Sequence, residues 1–83
     1  NNLYDYIQLT AGFAIFEVPV LRNWVGKSIA ELEVRKRYKI NIVAIKNDEM
    51  LDPTPQPDYR FKEDDHILII GQSRDVFKLD SKT

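Results

Sequence analysis

The sequence contains no cysteine, a single histidine and only three glycines. Each shortage removes a class of chemistry. Without cysteine there is no disulfide framework, no thiolate nucleophile and no Cys-ligated zinc site. With His66 as the one imidazole, His-rich metal sites and most imidazole-based catalytic arrays are excluded unless a second chain helps. Gly12, Gly26 and Gly71 are too scattered to form a phosphate-cradling loop. Apolar runs such as Ile67–Ile70 are far short of a bilayer span, and no signal-peptide pattern opens the chain. An excess of one charge is missing too. Twelve Lys+Arg face 13 Asp+Glu, for a net charge of −1, whereas a generic binder of nucleic acid or anionic membrane is usually basic. What remains is a chain of 83 residues, 43% hydrophobic and 30% charged. That suits one small soluble domain over residues 1–83 and excludes a disordered tail. The chain opens Asn1-Asn2 rather than with Met, which reads as a fragment of a longer protein.

Alternation predicts a strand over 3–10, a turn at Ala11-Gly12, and a second strand over Phe13–Val20. Pro19 belongs near a strand end or edge, since it lacks an N–H. Ser28, with Glu31 three residues on, has the spacing of a capping box. A helix is predicted from Ile29 to Tyr38, with early Glu31 and Glu33 and late Arg35, Lys36 and Arg37 matching the macrodipole. Ile40–Lys46 reads as a strand, with Ile40, Ile42 and Ala44 on one face and Asn41, Val43 and Ile45 on the other. Met50-Leu51 is a candidate short strand. Pro53, Pro55 and Pro57 alternate, so that stretch is a stiff extended loop. Lys62-Glu63-Asp64-Asp65 reads as a solvated turn. His66–Ile70 is a central strand ended by Gly71, and Ser73 caps a last helix through Val76, Phe77 and Leu79. The order β-β-α-β-(β)-β-α implies a small α+β domain with a mixed sheet and two helices.

Catalytic groupings are absent. His66 opens an apolar strand with no partner identifiable from sequence, and Glu63-Asp64-Asp65 lacks the alternating oxygen ligands of a metal loop. Two readings fit Arg35-Lys36-Arg37-Tyr38-Lys39. One is a helix end with dipole-matched charge; the other is an anion site with Arg35 aimed at a phosphate. RNA binding through this patch is demoted by the near-neutral total charge. Asn41 is disfavoured inside a strand. It is either an edge or a satisfied buried amide, or a polar hook beside apolar walls. The prolines first read as a rigid loop, although their rings also offer a flat platform for an aromatic base. Trp24 reads as structural.

Phe16-Glu17-Val18-Pro19, then Trp24-Val25-Gly26-Lys27-Ser28-Ile29-Ala30-Glu31-Leu32-Glu33-Val34-Arg35, then Tyr38-Lys39-Ile40-Asn41-Ile42-Val43-Ala44-Ile45, then Phe61-Lys62-Glu63-Asp64-Asp65-His66-Ile67-Leu68-Ile69-Ile70-Gly71, together resemble the C-terminal RCK domain, also called the TrkA-C domain. The stretch around Arg35 and Asn41 is most similar to the cytosolic gating subunit of Ktr-type bacterial potassium uptake systems. The resemblance implies a cytoplasmic, non-enzymatic regulatory domain without cofactor or metal. It implies an N-terminal nucleotide-binding RCK domain elsewhere in the protein. It further implies a homodimer within a larger gating ring, a membrane potassium-translocating partner subunit, and no nucleic acid. In Ktr-type members the dimer cleft receives cyclic di-AMP, which inactivates uptake. Residue by residue, Arg35 matches the phosphate-contacting arginine and Asn41 the strand amide that bonds the ligand. Ile29, Ile42 and Pro57 match apolar positions that hold adenine. Leu32 joins them by helical adjacency to Ile29, and Pro55 lies in the same proline loop. Thr54 stands where some relatives place a His, so that contact carries no charge here. The rival readings are a ligand-free assembly module and a TrkA-C sensor of a different small ligand.

Overall fold

Ala11 and Gly12 both have positive φ, 49° and 82°. That is the backbone a two-residue hairpin turn needs to match the right-handed twist of its strands. It joins β1 (Asp5–Thr10) to β2 (Phe13–Pro19), paired Tyr6 to Phe16 and Ile7 to Ile15. The computed structural model describes residues 5–79, so the predicted strand start at Leu3 and Tyr4 lies outside the described residues. After β2 come a single 3-10 turn at Arg22–Trp24, α1 (Ile29–Leu32), α2 (Val34–Tyr38), β3 (Asn41–Lys46), the two-residue β4 (Leu51–Asp52), β5 (His66–Gln72) and α3 (Ser73–Phe77).

The sheet runs β1-β2-β5-β3-β4, and every pairing is antiparallel. The expected mixed sheet is therefore corrected. The helical crossover between β2 and β3 does leave those strands parallel to each other. The last strand, β5, inserts between them and runs against both. Its central place explains why it is the most apolar strand.

One face of the sheet carries Ala14, Phe16, Ile67, Ile69 and Ile45 into a core completed by Leu32, Val34, Phe61, Val76 and Leu79. Trp24 is buried among them, its ring 5.5 Å from Tyr38 and 5.8 Å from Phe61. Its structural reading holds, and truncating such a residue costs about 3–5 kcal/mol.

The face assignment along β3 changes. Ile42 pairs with Ile69, yet Ala44 pairs with its neighbour Leu68, so Val43 is an extra residue in a β-bulge. The bulge flips the parity beyond it. Ile45 thus joins Ile42 on the core side, while Asn41, paired with Ile70, stays outside and exposed. From β1 to β3 the outer face carries the cross-strand row Ile7, Ile15, Ile70, Asn41.

The single helix predicted over 29–38 is in fact two short ones. Glu33 sits between them in the left-handed region, φ 49° and ψ 51°. The side-chain angles give the reason. At about 100° per residue, a straight helix would set Val34 and Tyr38 roughly 140–180° around from Ile29. Leu32 and Val34 could not both face the core. With the break, both are buried.

Two smaller expectations are also corrected. Gly71 does not end β5 but lies inside it, paired with Ala14. A Cβ there would come within 3.1 Å of Ile40 Cγ2, so the missing side chain lets the α2–β3 junction pack on the strand. Ser73 is the first residue of α3 rather than its cap. Gln72 occupies the cap position, and the Ser73 amide donates to Gly12 O at 3.0 Å.

Candidate ligand-binding site

Lys39 closes α2 in the left-handed conformation, φ 61°, and turns the chain directly into β3. That tight return brings residues six apart face to face. Arg35 Nε donates to Asn41 Oδ1 at 3.2 Å, and both residues are exposed. One N–H of the guanidinium fork is thus spent on holding its direction. The other donors of its five remain for an anion. The sequence-predicted pair is brought together.

A second group assembles at the start of α1. Ser28 Oγ accepts from the Glu31 amide at 3.1 Å, and Glu31 Oε1 accepts from the Ser28 amide at 2.9 Å, forming the predicted capping box. The backbone bond from Ser28, first among several causes, holds the Glu31 carboxyl below its ordinary value. Arg60 clamps the same carboxylate at 3.1 Å and the Gly26 carbonyl at 2.9 Å. The next amides of α1 are taken by the proline loop: Ile29 N–H by Tyr59 O at 3.2 Å, and Ala30 N–H by Pro57 O at 2.9 Å. Ile29 and Pro57 are therefore fixed to one another through backbone bonds. Ile29 and Ile42 are half-buried against the core and Pro57 is exposed.

The remaining site residues divide. Thr54 is exposed and Pro55 half-buried, in a loop that begins with the Thr54 amide bonded to Asp52 Oδ1 at 3.0 Å. Because β4 is antiparallel to β3, the chain leaves Asp52 heading toward the Asn41 end of that strand. Leu32 is only 5% exposed. It supports the site from the core and has little surface of its own to offer.

The basic cluster does not act as one patch. Arg35 turns to Asn41, while Arg37 and Lys39 line a cavity of about 160 Å³ with Tyr38, Arg74, Asp75 and Lys78. On the outer sheet face Glu17 accepts from His66 Nδ1 at 3.0 Å and pairs with Lys46 Nζ at 3.1 Å. The His66 bond, helped by Lys46 and opposed by burial, holds the Glu17 carboxyl below the ordinary carboxylate value. Sequence reasoning missed the role of Asp65, expected in a solvated turn. It is fully buried, accepting from Asn47 Nδ2 at 3.0 Å, Tyr59 OH at 2.7 Å and Lys62 N at 2.8 Å. The signal was its position, directly before the most apolar strand of the chain. Among the described residues no group of His, Cys, Asp or Glu is placed to hold a metal.

Known proteins share this fold. The TrkA-C domain family model matches residues 13–82. The Ktr system potassium uptake protein A of Bacillus subtilis (strain 168) is 31% identical over 82 residues, covering 99% of this chain but 37% of the relative. The chain thus spans little more than a third of that curated relative. The solved RCK C domain of the potassium transport protein KtrA, in complex with cyclic di-AMP, superposes with a TM-score of 0.77 at 29% identity, covering 83% of this chain and 81% of that one. The RCK_C domain dimer of S. agalactiae BusR, also with cyclic di-AMP, gives 0.73 at 26% identity, covering 86% and 90%. The same BusR has been solved with its promoter DNA, giving 0.72 at 25% identity and covering 90% and 38%. With the family model matching most of its length, the chain belongs to the TrkA-C (RCK C) domain family.

Proposed function

We propose that this domain is the ligand-sensing part of a cytoplasmic potassium-uptake gating subunit, and that it binds cyclic di-AMP between two copies of itself. The reading is regulatory rather than catalytic. The observation that carries it is the Arg35–Asn41 pair, an exposed guanidinium already oriented at 3.2 Å by a strand amide. Ile29, Ile42, Pro55 and Pro57 supply apolar contact for adenine, Leu32 backs them from the core, and Thr54 supplies an uncharged hydroxyl. Homologous structures solved with cyclic di-AMP support the choice of ligand.

Symmetry matches the two partners. Cyclic di-AMP has two phosphates, two adenines and a twofold axis, and a homodimer presents each side chain twice about its own axis. Among the described residues, strand β4 pairs only with Ile45 and Lys46. The Asn41 half of β3 is therefore open to a second copy, which would bring both Arg35–Asn41 pairs to the axis. The outer-face row ending in Ile70 and Asn41, with Ile7 exposed and Ile15 and Ile70 half-buried, provides apolar area for such a dimer. A ligand bridging two protomers shifts the larger gating ring, and through it the membrane subunit, only by its preference for one dimer geometry. The partners in this reading are a second copy, the membrane subunit and the dinucleotide, with no nucleic acid.

Isothermal calorimetry with cyclic di-AMP, together with sedimentation, tests the proposal. The expected result is a dimer binding one ligand per two chains, with a thermal midpoint that rises with ligand concentration. A folded dimer giving neither heat nor midpoint shift would leave a ligand-free assembly module. A midpoint shift only with another nucleotide or ion would point to a different sensor.

A further inference from the structure

Asp65 is an unusual residue to find where it lies. It is 0% exposed, and no ion pair among the described residues includes it. A buried carboxylate without a cation is costly, so its place demands satisfied oxygens and a geometric role. Its oxygens take three donors from three different segments: Asn47 of the β3–β4 turn, Tyr59 of the proline loop, and Lys62 of its own turn. Its carbonyl also takes the Val20 amide at 2.9 Å, tying in the end of β2.

The Tyr59 bond leads straight to the candidate site. The hydroxyl is held at 2.7 Å by Asp65 Oδ2. At the other end of the same residue, the Tyr59 carbonyl takes the Ile29 amide, and its amide closes a turn on Gln56 O at 3.0 Å. Within that turn lies Pro57, whose carbonyl takes the Ala30 amide. The ring of Tyr59 is thus a strut between a buried anchor and the two apolar residues assigned to adenine.

We propose that Asp65 is the positioning residue of the ligand cleft: by holding the Tyr59 hydroxyl and the Asn47 amide, it sets Pro57 against Ile29 and fixes the width of the apolar wall that receives adenine. The role rests on the cyclic di-AMP reading above. Asp65 touches no ligand; it acts through Tyr59.

The test uses the 83-residue chain as wild type, Tyr59→Phe, Asp65→Asn and Arg35→Ala. Affinity for cyclic di-AMP is measured at a temperature where each variant is fully folded. Amide exchange at Ala30 is followed without ligand. Tyr59→Phe removes one hydroxyl only, so it carries the test should Asp65→Asn fail to fold. Expected are Ala30 exchange and a dissociation constant each raised on the order of tenfold. A Tyr59→Phe protein with a lower thermal midpoint but wild-type affinity and wild-type Ala30 exchange overturns the proposal, leaving Asp65 a stabiliser alone. Wild type that binds no cyclic di-AMP overturns the ligand reading and the positioning role with it. That outcome is recognised because Arg35→Ala is then as silent as wild type.

Discussion

Replacing Arg35 by Ala separates binding from folding more cleanly than any other single change. In the free protein its side-chain bond to Asn41, at 3.2 Å, is exposed. Exposed polar contacts add little to stability, so the thermal midpoint should move by the equivalent of less than about 0.5 kcal/mol. With ligand bound the balance differs. A hydrogen bond from a charged group to a phosphate is worth about 1.5–3 kcal/mol. Twofold symmetry removes two arginines at once, so the loss is at least about 3 kcal/mol, or roughly 150-fold in dissociation constant. Arg35→Lys keeps the charge but loses the fork and the Nε bond to Asn41, and should fall between the two. Calorimetry on the three proteins, with melts run in parallel, reads both quantities. An Arg35→Ala protein binding cyclic di-AMP within about threefold of wild type would refute the phosphate role.

Two further outcomes follow from the fold alone. Glu33 holds φ 49°, which costs a residue with a Cβ about 1–2 kcal/mol, while glycine adds back about 0.5–1 kcal/mol of unfolded-state entropy. Glu33→Gly should therefore raise stability by up to about 1.5 kcal/mol in denaturant titration, and a clear loss would contradict the broken helix. Glu17 has its carboxyl held below the ordinary 4.5, chiefly by His66. A carboxyl depressed in the folded state contributes stability above its unfolded value and loses it as pH falls through the folded value. Glu17→Gln should thus flatten the decline in melting temperature on the acid side, by under about 1 kcal/mol because Lys46 is well exposed; an unchanged acid limb would remove the assigned role.

Much of the architecture was legible because local signals agreed with it. The Ser28–Glu31 box, the apolar run of β5 and the alternation in β2 each name their element without reference to the rest of the chain. Three features were not legible, for one shared reason: each is set by what packs against it. The break at Glu33 follows from the need to bury Leu32 and Val34 together. The bulge at Val43 follows from matching β3 to β5. Gly71 lies inside a strand because Ile40 leans on it. At the site, the reach of Arg35 to Asn41 follows from their spacing once the Lys39 turn is known. The burial of Asp65 could not be read from a string of four polar residues, because its partners lie 18, 6 and 3 residues away.

The middle strand of the sheet, β5, is the last of its five strands in chain order. The earlier strands β2 and β3 pair not with each other but each with His66–Gln72, which must arrive to stand between them. Until then this stretch of the nascent chain holds the β1–β2 hairpin, the short β3–β4 pairing, the helical turns between β2 and β3, and two apolar strand edges awaiting a neighbour. Such late, distant closure makes for slow maturation and a window in which another chain can pair with the open edges.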